Sequence, residues 1–181
     1  MEIIWRIFGA AKNPDGERLR AIRRGLDEQG VSLGPPLSEA EIRLFEKQNR
    51  LSLPSEYRAF LLAVGNGSEK GPPFYGLLKL DQVPKDKLVQ PFPLEKACIW
   101  EAGEELPSGV EREHLERGWI DLGTDGCGFH WMLVVSGPQR GKVWNRCGEG
   151  IMPWYDKGFF EWMEHWIGRG DDSWIVRDGR E

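Results

Sequence analysis

Leu53-Pro54-Ser55-Glu56-Tyr57-Arg58-Ala59-Phe60-Leu61-Leu62, running on through Val64 into Gly65-Asn66-Gly67, decides how the rest of the chain is read. Pro54 sits at the first turn of a helix, where a missing N–H costs nothing. Tyr57, Phe60, Leu61 and Val64 recur at i, i+3, i+4 and i+7, one apolar stripe of a helix. Gly65-Asn66-Gly67 stops it, because Gly and Asn accept the left-handed conformation that helix ends often need.

Working outward, Ser38-Glu39-Ala40-Glu41 reads as a capping box that opens a second helix. Ile42 and Phe45, with Leu44 beside them, form its apolar stripe. Further back, Asn13-Pro14-Asp15 starts an earlier helix and Gly30 stops it. Leu19, Ile22 and Leu26 mark its buried side. VSLGPPL at 31–37 links the two helices.

Beyond residue 70 the period changes. GPPFYGLLKL reads as a loop leading into a short strand, and 82–97, with Pro84, Pro91 and Pro93, reads as loop. Short apolar runs follow at 98–100, 118–123, 129–135 and 142–144, each bounded by Gly or Pro as strands are. SGPQRG at 136–141 joins the last two as a hairpin. Phe159, Trp162, Met163 and Trp166 then share a helical face that Gly168 ends. Helices, then strands, then a helix make an α+β single domain. Its parts are a helical extension at 1–36 packed on the domain, the domain itself at 37–167, and a tail at 168–181.

Composition limits function. The chain has 181 residues and a net charge of −5. An acidic chain does not coat nucleic acid, which needs clustered Lys and Arg. No apolar run approaches the roughly 20 residues of a membrane span. The N-terminus lacks the basic and long apolar regions of a signal peptide, so the cytoplasm is the expected compartment. Cys98, Cys127 and Cys147 are too few and too far apart for a disulfide framework or a zinc knuckle. The three His are scattered, and no phosphate-loop, zincin or nucleophile-elbow motif is present. No metal, cofactor or catalytic residue is therefore expected. Cys127 and His130 are close in sequence. Residues three apart on a strand point to opposite faces, and glycines flank the Cys. A packing or turn role in a buried setting follows, and a thiol nucleophile is the competing reading.

Two further features point to a partner. Between 101 and 125 lie eight acidic residues against two basic ones, a single-sign field able to steer a basic protein. The residues assigned to that contact are Glu101, Glu104, Glu105, Asp121 and Asp125, with Trp100 as an aromatic anchor. Of the nine Trp, most belong to the core, while Trp100 and Trp174 beside charged sequence are expected at the surface.

The Leu53–Gly67 stretch resembles the "LP-x-x-Y-x-x-F-L … N-G" signature of the SUKH superfamily, the Smi/Knr-type cell-wall-assembly-regulator-like domain. The preceding SEAEIRLFEKQNRLSLP is similar to the family's "E-I-x-x-x-E-x-x-x-x-x-x-L-P", on Glu41-Ile42 and Glu46. Gly126-Cys127-Gly128 entering Trp131–Val135, then Gly137 and Gly141-Lys142-Val143-Trp144, resemble its second half, which ends in "G-x-V-W". Phe159-Phe160-Glu161-Trp162-Met163 is similar to the closing "F-x-x-[WF]-L" helix. The resemblance spans about residues 37–167.

It implies helices on a bent, mostly antiparallel sheet, and a non-catalytic role. Bacterial members are regarded as immunity proteins that bind toxin domains, often nucleases, of contact-dependent or polymorphic toxin systems. Eukaryotic members regulate or scaffold cell-wall growth, so a housekeeping partner is the alternative. Leu53, Pro54, Tyr57, Phe60, Gly65, Asn66, Gly67, Gly126, Gly128 and Trp144 are then scaffold residues. Replacing Tyr57 or Trp144 by Ala lowers stability by roughly 3–5 kcal/mol, as expected of buried aromatics. Urea unfolding of the two variants measures it, and a loss under about 1 kcal/mol contradicts their burial.

Overall fold

The computed structural model describes residues 14–169 apart from Pro84, Asp86, Lys87, Val89 and Glu149. Trp5 and Trp174 lie outside the described residues, as does nearly all of the tail. Helices α1 (Pro14–Glu28), α2 (Glu39–Asn49) and α3 (Ser55–Ala63) come first. Five strands follow: β1 (Trp100–Glu101), β2 (Trp119–Gly126), β3 (Phe129–Val134), β4 (Lys142–Cys147) and β5 (Gly150–Gly158). Helix α4 (Phe159–Arg169) closes the described chain, so Gly168 lies inside that helix instead of ending it. The strands form one antiparallel sheet in the order β1-β5-β4-β3-β2. The architecture is α+β.

The motif residues have local reasons. Ser38 caps α2 by accepting the Glu41 amide, while the Glu41 carboxylate takes the Ser38 amide at 2.8 Å. Glu46 accepts the Leu53 amide at 2.9 Å, which holds the LP turn against α2. Leu53 is 2% exposed beneath it. Asn66 Oδ1 accepts the Leu80 amide at 2.9 Å. Gly65 has no room for a side chain, because a Cβ there would lie 2.7 Å from the Gly34 carbonyl oxygen. Tyr57, Phe60, Leu61 and Val64 are all buried, as their spacing demands. Leu44 is exposed, so the α2 stripe is Ile42 and Phe45.

The sheet buries both faces. On one face Ile120, Leu122, Trp131, Leu133, Val143 and Trp154 join the helices. Trp131 packs on Trp162 of α4 at 5.8 Å between centroids, and Phe159 meets Tyr57 and Phe60 at 5.0 and 5.1 Å. On the other face Met132, Val134, Trp144 and Ile151 pack under the segment that carries Phe92, Leu94, Trp100 and Leu115. The loop between α3 and β2 is therefore a structural layer. It is tied down at two glycines. Phe92 donates its amide to the Ser136 carbonyl at 2.9 Å, and Phe92 meets Trp144 at 5.1 Å. A Cβ on Gly118 would lie 2.1 Å from the Phe92 nitrogen, and one on Gly137 would lie 2.6 Å from its oxygen.

Two expectations change here. The stretch near 74–79 is not a strand, although Tyr75 and Leu78 donate amides to Thr124 and Leu122 and so cover the free edge of β2. β5 carried no alternating signature. It contains Pro153, and Tyr155 and Asp156 adopt left-handed φ of 49° and 52°, where the pairing with β4 shifts register.

Helix α1 packs on α3 and α4 with Ile22 and Leu26 buried. Arg18 donates to both carboxylate oxygens of Glu164, at 2.5 and 2.7 Å, and lies within 4 Å of Glu56 and Glu161. Gly118→Ala, at φ 78°, combines the left-handed penalty with a backbone clash, and costs roughly 2–4 kcal/mol. Unfolding monitored by Trp fluorescence checks it. A change under about 0.5 kcal/mol shows that the layer is not anchored there.

Candidate functional site

The loop layer over the second sheet face is amphipathic, and that accounts for the acidic segment. Its inward side chains are apolar, while Glu101, Glu104, Glu105, Glu111 and Glu113 stand outward and exposed. Among the described residues none of these five carboxylates forms an ion pair. Glu104 folds back once, its Oε2 accepting the Glu101 amide at 3.1 Å. The other acids of the segment are engaged. Glu116 is paired with Arg146, whose guanidinium lies 5.5 Å from the Trp119 ring centroid.

Asp121 and Asp125 hold the β2–β3 hairpin together. Asp121 Oδ1 accepts the Gly123 amide at 2.9 Å, and its Oδ2 lies 2.9 Å from His130 Nδ1. Asp125 accepts the Phe74 amide at 3.0 Å and the Trp131 indole N–H at 2.7 Å. Burial pushes the Asp125 carboxyl above its ordinary range, against the pull of those two hydrogen bonds. The sequence assigned both residues to partner contact, whereas the geometry spends their oxygens inside the fold.

Trp100 overturns its expected exposure. It is 8% exposed, part of the second core, and its indole N–H donates to the Glu104 carbonyl at 3.1 Å. The 101–105 turn closes over its ring, and Arg112 sits 5.9 Å from the ring centroid. Trp131, Trp144, Trp154, Trp162 and Trp166 are buried, as expected.

Cys127 also differs from its reading. It is in the turn, as its glycine neighbours imply, but it is exposed and its φ is 51°. Gly126 and Gly128 beside it have φ of 89° and 80°, so three consecutive left-handed residues reverse the chain. Thr124 Oγ1 locks that turn, accepting the Gly126 amide at 2.9 Å and donating to the Phe129 carbonyl at 2.5 Å. His130 faces Asp121 and so is not oriented as a base for the thiol. Among the described residues one group has donor atoms close enough for a metal. Glu111, Glu113 and His114 place one ligand atom each within 4.8 Å of one another. His114 Nδ1 already accepts the Glu111 amide at 3.2 Å, leaving two exposed carboxylates and Nε2.

The feature missed from sequence lies beside this hairpin. Phe74, Tyr75 and Phe129 are exposed by 48%, 61% and 43%. The Phe74 and Tyr75 rings meet edge to face at 5.0 Å. The Tyr75 ring covers the position a Gly126 Cβ would take, and Gly126 is the register partner of Phe129. Phe129 thus opens β3 across the hairpin from the residue that Tyr75 covers. Two adjacent aromatics in a Pro- and Gly-rich loop, at 71–76, were the available signal.

The Trp131 indole N–H reports on the Asp125 carboxyl that it contacts. Its NMR resonance titrates with a midpoint above 3.8, the ordinary aspartate value. Because the pKa is raised by folding, this group's stabilising share is complete below the unfolded value and falls as pH rises through the folded one. A midpoint at or below 3.8 contradicts the desolvation that burial imposes.

Comparison with known proteins gives one result. The family model described as SMI1 / KNR4 family (SUKH-1) matches residues 36–165, from the link before α2 into α4. Neither a search of curated proteins nor one of solved structures finds a match. Among the described residues no helix is long and apolar enough to cross a membrane. The match covers more than half of the chain and includes every motif from Ser38 to Met163, and the chain therefore belongs to the SMI1/KNR4 (SUKH-1) family.

Proposed function

We propose that this chain is a non-catalytic immunity protein. It binds a cognate bacterial toxin domain of a polymorphic or contact-dependent system and neutralises it by occupying its surface. The cognate toxin is basic and of the nuclease type, since nucleases grip phosphate with Lys and Arg. The observation that carries the reading is the outer side of the 92–116 layer. Five exposed carboxylates stand there without ion-pair partners among the described residues. A field of one sign raises the rate of encounter with a partner of the other sign and selects against like-charged surfaces. Family membership supports a protein-binding role, and the acidic outer surface supports a basic partner.

The reading needs no chemistry from the chain. Cys127 lies exposed at a turn with His130 turned to Asp121, an arrangement that supports a structural hairpin more than an acyl-transfer site. The work of the molecule is then affinity. Exposed carboxylates contribute through association rate and contribute little through static pairing.

The test is co-expression with the product of the adjacent gene, followed by stopped-flow association. The wild-type chain forms a stoichiometric complex and protects cells from that product. Glu101→Lys, Glu104→Lys and Glu105→Lys together slow association at least about tenfold at low salt and flatten or reverse its salt dependence. An adjacent product that is neither bound nor neutralised overturns the immunity role and favours a housekeeping partner. A normal rate in the triple variant overturns the acidic steering.

A further inference from the structure

We infer that the turn end of the sheet is the docking surface, with Phe74, Tyr75 and Phe129 as its apolar anchor and the 101–105 turn as its acidic rim. The inference rests on the reading of the chain as a protein-binding module. It adds where the partner sits and what that partner must present.

The placement follows from strand register. Phe129 opens β3 beside Gly126, and His130 pairs with Arg146 near the end of β4. Cys147 pairs with Gly150 across the next turn, and Glu101 pairs with Gly150. The β2–β3 turn, the β4–β5 turn and the chain leaving β1 therefore emerge at one end of the sheet. Four strand spacings separate β2 from β1, about 19 Å. That width lies inside one standard interface of ~800 Å² per partner.

Six large apolar side chains are exposed among the described residues; Phe74 and Tyr75 touch, Tyr75 covers Gly126, and Phe129 is the register partner of Gly126. Scattered ones need no explanation, whereas a contiguous group does. The backbone that carries these three is also held before any partner arrives. Asp125 fixes the Phe74 amide, Thr124 fixes the Tyr75 amide, and the Thr124 hydroxyl fixes the turn that presents Phe129. A backbone already ordered lowers the entropy lost on binding, and aromatic side chains on such a frame suit the role of anchors. The exposed carboxylates of Glu101, Glu104 and Glu105 then set the charge of the occupant. It is a protein surface with an apolar patch bordered by Lys and Arg.

A library of random 12-residue peptides displayed on phage, selected on the immobilised full chain, tests the surface without knowledge of the natural partner. Enriched peptides combine aromatic or aliphatic residues with Lys or Arg. Tyr75→Ser with Phe129→Ser weakens them by about tenfold or more, a typical anchor loss. Glu101→Gln with Glu104→Gln and Glu105→Gln weakens them at low salt and much less at high salt. Leu44→Ser, on the exposed side of α2, leaves binding unchanged. A bound peptide also shields Cys127 of the unmutated chain from maleimide, so the result does not depend on variants that fold.

Peptides that are acidic, that ignore the Tyr75 and Phe129 changes, or that leave Cys127 reactive overturn the inference, as does a library that yields no chain-specific binder. A dimer in sedimentation that Tyr75→Ser dissolves assigns the face to a second copy and overturns it too. An adjacent-gene product that fails to bind overturns only the immunity role, while the peptide result stands or falls alone.

Discussion

A sheet with apolar side chains on both faces has to be covered twice. Trp131 and Leu133 point to one side of β3, and Met132 and Val134 point to the other. Exposing either set to water costs about 25 cal/mol for each Å² of apolar surface. The helices supply the first cover. The second is an irregular segment with only short 3-10 turns and a two-residue strand, held by Phe92 where Gly118 and Gly137 leave room for its backbone. That constraint shapes much of the molecule. A loop that buries apolar residues on its inner side must place its polar residues on the outer side, and here most of those are glutamates. The acidic surface is the solvent side of a structural part.

The same demand explains what the sequence could and could not tell. The Leu53–Gly67 stretch was legible because each residue has a local job that only a few residue types can do. Glu46 takes the Leu53 amide, and Asn66 takes the Leu80 amide. Periodicity gave the helices for the same reason. β5 was illegible because its signals are contradictory: Pro153 lacks a ladder donor, and two left-handed residues break the alternation. The second core was illegible because its residues are separated by loops of no fixed period. Trp100 shows the cost. Its flanking Glu101 suggested exposure, yet a side chain's neighbours in sequence do not decide which side of a loop it takes.

The candidate surface was half legible. Net charge located Glu101, Glu104 and Glu105 correctly on the outside. It also counted Asp121 and Asp125, whose oxygens are occupied by an imidazole, two backbone amides and an indole. A count of charges cannot separate a carboxylate facing solvent from one stitching a hairpin. The two tasks are nonetheless connected. Asp125 holds the Phe74 amide and the Thr124 hydroxyl beside it holds the Phe129 carbonyl, so internal hydrogen bonds order the surface proposed for docking.

Arg18 has a consequence for where the protein can be cut. It lies on α1, upstream of the segment matched to the family, and serves three carboxylates that all lie within that segment: Glu56, Glu161 and Glu164. Trimming to the matched boundaries removes the cation that pairs with all three and uncovers the apolar surface covered by Ile22 and Leu26. Three like charges would then share the rim of a bare apolar trench. The packed unit is therefore longer than the segment the family model matches, and helix α1 supplies a counter-ion to that segment.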